Sequence, residues 1–413
     1  MKIIKQLAIA LVALTFSMTI MAQTPYSRYG YGILQDNVTS AQRAMGGVGY
    51  AMNSGRQINV MNPAAFASID SLTFLFDMGI NAAKIASEET VEGQVRKASD
   101  FGGGIDYLTM AFPINKYIGA SVGLLPFSSV NYSFGEEIVH GSNSREGQGG
   151  LSQLYVGVGG RIFDNLQVGA NISYLFGTTI NDAYATINSG TTALFERVLK
   201  VKDWRVQFGA QYSFDINTKN RVTVGATYTP GKTLLGETWG IRYDIDNETA
   251  PDTLEQFSTK NRYSLPDCWG VGISHEWNKR LLTEVDFSYQ TWKKADYTNL
   301  VDFENTKFDN RWKIAAGAQF TPKPRGNYLQ TIQYRLGTFY THDYLMIGDN
   351  NLIEYGVTAG LGLPVKGFKT IVNLGFEYRR RQADPNPLVK ENIYNITLGV
   401  NFNEMWFWKN KIR

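Results

Sequence analysis

From Leu166 to Phe176 every second residue is apolar: Leu166, Val168, Ala170, Ile172, Tyr174 and Phe176 fall on one side, Gln167, Gly169, Asn171 and Ser173 on the other. An extended chain points successive side chains to opposite faces, so this is a strand with one greasy face and one polar face. The stretch from Trp204 to Phe214 repeats the pattern, and so do those from Thr370 to Arg379 and from Tyr394 to Phe402. Strands in globular domains average about 5–6 residues. These run to about ten, the length a tilted strand needs to cross a bilayer. Repetition along the whole chain points to an all-β protein, a transmembrane antiparallel barrel.

The connections sort into two kinds. Asn115-Lys116, Asp164-Asn165, Asp215 to Asn220, Asn278 to Arg280, Pro322 to Gly326 and Pro364 to Gly367 are short. They alternate with longer polar segments: Ser87 to Asp100, Gly135 to Gly150, Thr178 to Asp203, Asp246 to Asn261, Asp296 to Lys307, Asp343 to Asn350 and Gln382 to Val389. Short periplasmic turns and longer outer loops are the mark of a barrel in the outer membrane of a Gram-negative bacterium. Such barrels have an even strand number, which Arg221 to Asp244 decides. Taken as one long strand rather than a hairpin at Pro230-Gly231, it gives about 14 strands.

Composition agrees. The chain has 41 Gly, 23 Tyr, 23 Phe and 8 Trp, yet its mean hydropathy is −0.22. A net charge of +3 gives no reason to expect nucleic acid. The single cysteine, Cys268, excludes an internal disulfide and a cysteine-based metal centre. His140, His275 and His342 are scattered, and no nucleophile-elbow, HExxH or P-loop pattern occurs. Neither an enzyme nor a cofactor or metal site is expected.

Met1 to Ala22 reads as a secretory leader, with Lys2 and Lys5 ahead of an apolar run from Leu7 to Ile20 and Ala22 at the cut. Residues 23–70 then form a separate unit. Its heart, Ala41 to Ser68, is rich in Gly and Ala and has no strand or helix period. Gly46, Gly47, Gly49 and Gly55 permit close backbone approach, and Asn62-Pro63-Ala64 forces an extended residue before the first strand. A polar, small-residue segment ahead of a barrel suggests a hatch that fills the lumen. The barrel is expected over 71–402. Beyond it, residues 403–413 place Trp406, Phe407 and Trp408 beside Lys409, Lys411 and Arg413, an interfacial anchor or a periplasmic tail.

The polar phase of the strands collects Arg205, Glu284, Asp286, Arg311, Lys313, Arg335, Glu377 and Arg379. Several fall on neighbouring strands, so ion-pair ladders that fix the hatch are expected.

In its order of motifs the chain resembles the FadL/TodX family of outer-membrane transporters for long-chain fatty acids and aromatic hydrocarbons. The Gly-rich segment ends in Asn62-Pro63-Ala64, and VGVGGRIFDNLQVGANISYLFG follows from Val156 to Gly177. Then come DWRVQFGAQYSF, NRVTVGATY, Leu265-Pro266-Asp267-Cys268-Trp269, VDFSYQTWKK, and WKIAAGAQF from Trp312 to Phe320. The resemblance implies a 14-stranded barrel with an N-terminal hatch, monomeric among outer-membrane lipids, and a hydrophobic small molecule as ligand. It implies lateral release at a kink in the third strand, here Tyr117 to Phe134 with Leu125-Pro126-Phe127 at its middle. Proline cannot donate to a ladder, which suits such a break. Met52, Ile58, Val60, Met61 and Phe66 of the hatch are the expected ligand contacts. The alternatives are a FadL-like component of a protein secretion machinery and a general porin. The outer loops look short for a family member that captures fatty acids from water.

Overall fold

The structure, a computed structural model, describes residues 22–91, 93–187, 192–245, 252–260, 263–297, 306–366 and 369–405. The leader up to Met21 and the aromatic tail Trp406–Trp408 lie outside those residues. The strands in chain order are β1 (Ile33–Leu34), β2 (Thr73–Val91), β3 (Gln94–Pro113), β4 (Ile118–Ile138), β5 (Gly141–Arg161), β6 (Leu166–Ile187), β7 (Thr192–Asn217), β8 (Asn220–Thr229), β9 (Lys232–Thr233), β10 (Gly236–Ile245), β11 (Asp252–Lys260), β12 (Ser264–Leu265), β13 (Cys268–Trp277), β14 (Leu281–Gln290), β15 (Lys307–Phe308), β16 (Arg311–Phe320), β17 (Gln333–Ile347), β18 (Asn350–Pro364), β19 (Ile371–Asp384) and β20 (Val389–Met405).

Successive strands pair antiparallel, and β20 returns to β2 from Thr73↔Met405 to Glu89↔Val389, which closes the sheet into a barrel. Among the described residues the wall has fourteen strand positions. The long β7 shows how the seventh is made: its lower half pairs with β8 (Phe208↔Tyr228) and its upper half with β10 (Gly236↔Val201). Arg221 to Asp244 is therefore not one continuous strand. It breaks at Pro230, which has no N–H, and Gly231, whose N–H donates to Asp267 Oδ1 at 2.9 Å. The count of fourteen survives because both pieces occupy the same wall position, and β11 stands above β13 in the eighth.

A second expectation needs correction. Most of the long polar connections are not irregular loops. The β4–β5 ladder runs on to Ile138↔Gly141, β2–β3 to Val91↔Gln94, and β6–β7 to Thr186↔Thr192. In water beyond the membrane both faces of a hairpin can be polar, so apolar alternation fades while the ladder continues.

Outward-facing Ile172, Trp204, Val224, Val271, Ile314, Val357, Leu374 and Ile396 are exposed on the outer surface of the wall. Such a band is stable only against lipid. Cross-strand aromatic pairs rim its outer edge: Tyr174–Trp204 (4.9 Å), Tyr228–Trp269 (5.6 Å), Trp312–Tyr340 (5.3 Å) and Tyr378–Tyr394 (5.4 Å) between ring centres. Short turns and both ends of the barrel sequence share one mouth, the periplasmic one by this pattern.

Candidate functional site

The segment ahead of β2 fills the barrel. It holds a 3₁₀ turn (Pro25–Arg28), β1, a one-turn helix (Ser40–Arg43) and a second 3₁₀ turn (Pro63–Ser68). Each short element has a local cause. Thr39 caps the helix, and Gln42 Oε1 accepts the Thr39 N–H at 2.9 Å. Asn62 Oδ1 accepts the Ala64 N–H at 3.1 Å, while Pro63 supplies a preset first turn. Asn62 Nδ2 also donates to Tyr50 O (2.7 Å) and to Ala210 O of β7 (3.2 Å), tying the corner to the wall.

Glycines in the lumen phase of the wall make room for this chain. A Cβ at Gly159 would stand 2.6 Å from Pro63 O and 2.8 Å from Ala67 N, and Gly169 and Gly209 are as close to the Asn62-Pro63-Ala64 corner. On the hatch side, Gly46 takes a left-handed conformation (φ 76°) and donates to Thr358 Oγ1 at 2.8 Å. A side chain there would meet the backbone of Thr338. The period-two glycines of VGVGGR and LQVGAN carried this signal in the sequence, where they read only as polar-face positions.

Charges hold the rest. Asp36 receives Lys313 at 2.7 Å and Arg311 at 3.3 Å. Burial works to raise the Asp36 carboxyl, yet Lys313, Arg311 and Arg379 together keep it well below the ordinary carboxylate range. Arg43 Nη2 donates to both carboxylate oxygens of Asp106, each at 2.8 Å. Burial would lower the Arg43 guanidinium, but Asp106 outweighs it and holds the charge in place. Glu284 and Asp286 pair with no cation among the described residues. They accept hatch N–H groups instead, Ala51 on Glu284 (2.7 Å), Gly49 (2.7 Å) and Tyr50 (3.1 Å) on Asp286.

The other lumen charges divide. Arg379 bridges Glu377 (2.7 Å) and Glu354 (2.9 Å), a ladder that Arg381 extends to Glu391 (3.0 Å). Glu391 in turn accepts from Thr24 Oγ1 at 2.7 Å, so the ladder reaches the hatch. Arg335 bonds amides, Asn373 at 2.7 Å and Gln319 at 2.8 Å, and no carboxylate among the described residues. Arg205 lies 5.4 Å over the Phe127 ring. Asp106 could not have been found from parity. A register shift opposite Gly79/Ile80 skips it, so Asp106 and Tyr107 both turn inward.

The five expected ligand contacts are split. Ile58, Val60 and Phe66 pack with Leu75, Tyr107, Leu125 and Tyr155, whereas Met52 packs with Met45, Val48, Ala315 and Phe339. Val60 and Met61 reach a cavity of about 130 Å³ between hatch and wall, with Asp36, Asp286, Arg311 and Lys313 on its other side. The larger apolar cluster lies elsewhere and sequence reading missed it. Tyr31 sits against Trp292 (5.6 Å), Tyr297 (5.4 Å) and Phe308 (6.3 Å), joined by Tyr344 and Phe127. Burial among these rings pushes the Tyr31 phenol well above its ordinary pKa, with Tyr297 and Tyr263 adding to it.

Next to Leu125-Pro126-Phe127 the ladder between β3 and β4 ends. The β3–β4 ladder spans only Pro113↔Gly119 to Leu108↔Leu124 and stops. Above that point β3 keeps its partner β2, and β4 keeps β5 with a shift between Pro126 and Ser128 that leaves Phe127 unpaired. The hatch takes the freed edge of β4. Ile33 and Leu34 pair with Ser129 and Ser128, Gln35 N donates to Phe127 O (2.9 Å), and Thr24 N donates to Asn131 O (2.9 Å). The seam is thus a gap in the wall's own ladder that an N-terminal strap, residues 24–35, covers from within.

Solved barrels share this architecture. The chain superposes on the P. putida toluene transporter TodX with a TM-score of 0.62 and 14% identity, over 91% of this chain and 100% of that one. The Ralstonia pickettii toluene transporter TbuX gives 0.60 and 12%, over 89% and 98%, and a Pseudomonas aeruginosa FadL homologue gives 0.61 and 13%, over 91% and 100%. At such identities the likeness is one of fold, and at that level the FadL/TodX resemblance holds. None of the curated proteins matches the sequence. This bacterial outer-membrane barrel, with its filled lumen and strapped seam, belongs to the BamG family, whose model its sequence matches over residues 3–413.

Proposed function

We propose that the barrel passes hydrophobic small molecules, long-chain fatty acids among them, across the outer membrane of a Gram-negative bacterium and releases them sideways at the β3–β4 seam. The observation that carries this reading is the ladder that ends at Leu108↔Leu124 while its two strands continue apart. Leu125 and Phe127 face inward on either side of Pro126, the first toward Phe66 and the second toward Tyr31. A solute leaving there goes from apolar side chains into lipid. Leaving through the periplasmic mouth would re-expose it to water at about 0.8 kcal/mol per methylene. Small-molecule sites usually measure about 300–1,000 Å³; hollows of that size lie between hatch and wall at the two mouths, whereas the cavities deeper in the lumen hold about 130 and 120 Å³. Passage therefore requires the strap to lift off β4.

That same tightness favours a second reading, an outer-membrane component of a protein secretion machinery that holds its cargo or partners on the rim. It disfavours an open porin. One experiment separates them. In a Cys268→Ala background, Ile33→Cys with Ser129→Cys joins strap to wall at registered partners. Uptake of a fluorescent fatty acid should fall to that of protein-free vesicles and return on reduction. Undiminished uptake with the disulfide formed would sink the lateral route, and uptake no greater than that of protein-free vesicles even with the strap free would favour the secretion reading.

A further inference from the structure

The periplasmic mouth has two hollows of unlike charge. One, about 760 Å³, is lined by Arg161, Lys219, Arg221 and Lys279 and by Asp70, Asp164, Asp215 and Glu276, four of each sign. The other, about 570 Å³, is bordered by Arg56 of the hatch, Lys279 and Arg280 of the β13–β14 turn, and Lys366 and Lys369 of the β18–β19 turn. Against these five cations its described lining offers one carboxylate, Glu276. Arg56 leans 3.4 Å from Asp70, and Lys366 lies 5.7 Å over the Tyr328 ring. Among the described residues Lys279, Arg280, Lys366 and Lys369 have no ion-pair partner. Beneath this rim the floor is apolar, with Met52, Leu282, Val365 and Ile371.

We propose that this second hollow is a docking site for an acidic, partly apolar peptide segment of a periplasmic protein. Unpaired cations on two separate turns, with Arg56 of the hatch beside them, define an anionic partner that spans the hollow, and the apolar part of the lining asks for apolar side chains between its charges. The protein's own C-terminal segment does not suit, because Lys409, Lys411 and Arg413 share the rim's sign. A lipid does not suit either. The hollow is lined by the hatch residues Met52 and Gln57 and by the lumen-phase Leu282 and Gln319. It opens inside the ring of strands, and a lipid would have to leave the bilayer to enter. The site is independent of the seam, so its fate and that of the transport reading are separable.

The test uses the intact barrel in neutral-lipid nanodiscs and a fluorescent ten-residue peptide of alternating glutamate and leucine. Binding should weaken steadily as salt rises. The variant Lys279→Glu/Lys366→Glu/Lys369→Glu should lose at least about tenfold in affinity, while Lys219→Glu/Arg221→Glu in the balanced hollow stays within about twofold. All five positions lie at the rim, and both variants should keep the wild-type unfolding transition. Absence of binding to the wild type would overturn the proposal. So would equal losses in the two variants, or displacement of the peptide by soluble phosphatidylglycerol at lower concentration, which would make the hollow a lipid-headgroup site.

Discussion

Between β5 and β6 the wall is a ladder without interruption from Gly141↔Ile187 to Arg161↔Gln167, and the hatch corner Asn62-Pro63-Ala64 presses directly on its glycines. Between β3 and β4 the ladder stops at Leu124, and the hatch supplies a strand of its own. The first region closes by backbone bonds that only unfolding breaks. The second closes by two registered pairs, a few N–H donors and the nearby Arg43–Asp106 pair, none of which is a bond between two wall strands. The seam proposed as the exit thus has its closure in a segment that is not part of the wall.

The largest effect should come from removing the hatch altogether. Deletion of Ala41 to Ser68 leaves both regions of wall intact but withdraws their common filling, so single-channel conductance in planar bilayers should rise well above that of the intact protein. Equal conductance would mean that the wall, not the hatch, blocks the lumen.

Next is the charge beside the seam. Arg43→Ala strands the Asp106 carboxylate in a buried site, a change that costs about 3–5 kcal/mol where a buried pair loses one partner. The loss should appear as easier hatch release, seen as faster proteolysis within residues 23–70, with the barrel's own unfolding less affected. A loss carried wholly by the barrel transition would erase the distinction between the two regions.

How much of this could be read from the chain follows the same divide. The continuous wall was legible because period two in Leu166–Phe176 or Tyr394–Phe402 is a property of neighbouring residues. Lipid outside and polar filling inside make it regular. Gly46, Gly47, Gly49 and Asn62-Pro63-Ala64 set the segment ahead of β2 apart from the strands, and Pro126 stands just past the end of the β3–β4 ladder. What lay out of reach was pairing across distance. Asp106 turns inward through a one-residue shift against β2, which no local pattern announces. Tyr31 meets Trp292, Tyr297 and Phe308 from more than two hundred residues away. Apolarity is what marks Met52, Ile58, Val60, Met61 and Phe66 as ligand contacts in the sequence, but apolarity in a hatch serves equally to pack it, and Ile58 and Phe66 are packed.

A smaller effect tests the unbroken side. Gly159 and Gly160 are adjacent on β5. A Cβ at the first would press on the hatch, whereas one at the second would meet nothing within 4 Å. Gly159→Ala should cost about 1–3 kcal/mol by overpacking, and Gly160→Ala should stay within about 0.5 kcal/mol, as surface changes usually do. Chemical denaturation in detergent reads both. Equal stability of the two would show that the corner stands off the wall.

The smallest effect concerns Asp36, where the residue after the strap meets the wall through charge. Lys313, Arg311 and Arg379 keep its folded pKa below the unfolded value of about 3.9. A depressed carboxylate contributes stability that is fully present above the unfolded pKa and disappears as pH falls from there toward the folded one. Asp36→Asn keeps the shape and an acceptor for Lys313 but removes the charge, so the stability difference from wild type should be roughly 1 kcal/mol. Taking that difference, rather than either protein alone, cancels every other titrating group on the facing strands. It should stay level from pH 8 to 5 and shrink only below about 4. A difference that changes between pH 7 and 5 would mean that Asp36 is not held by its cations. The hatch would then be anchored on that side by packed glycines and hydrogen bonds, as it is against β5 and β6, where Gln167 accepts from Asn53 and Ser68.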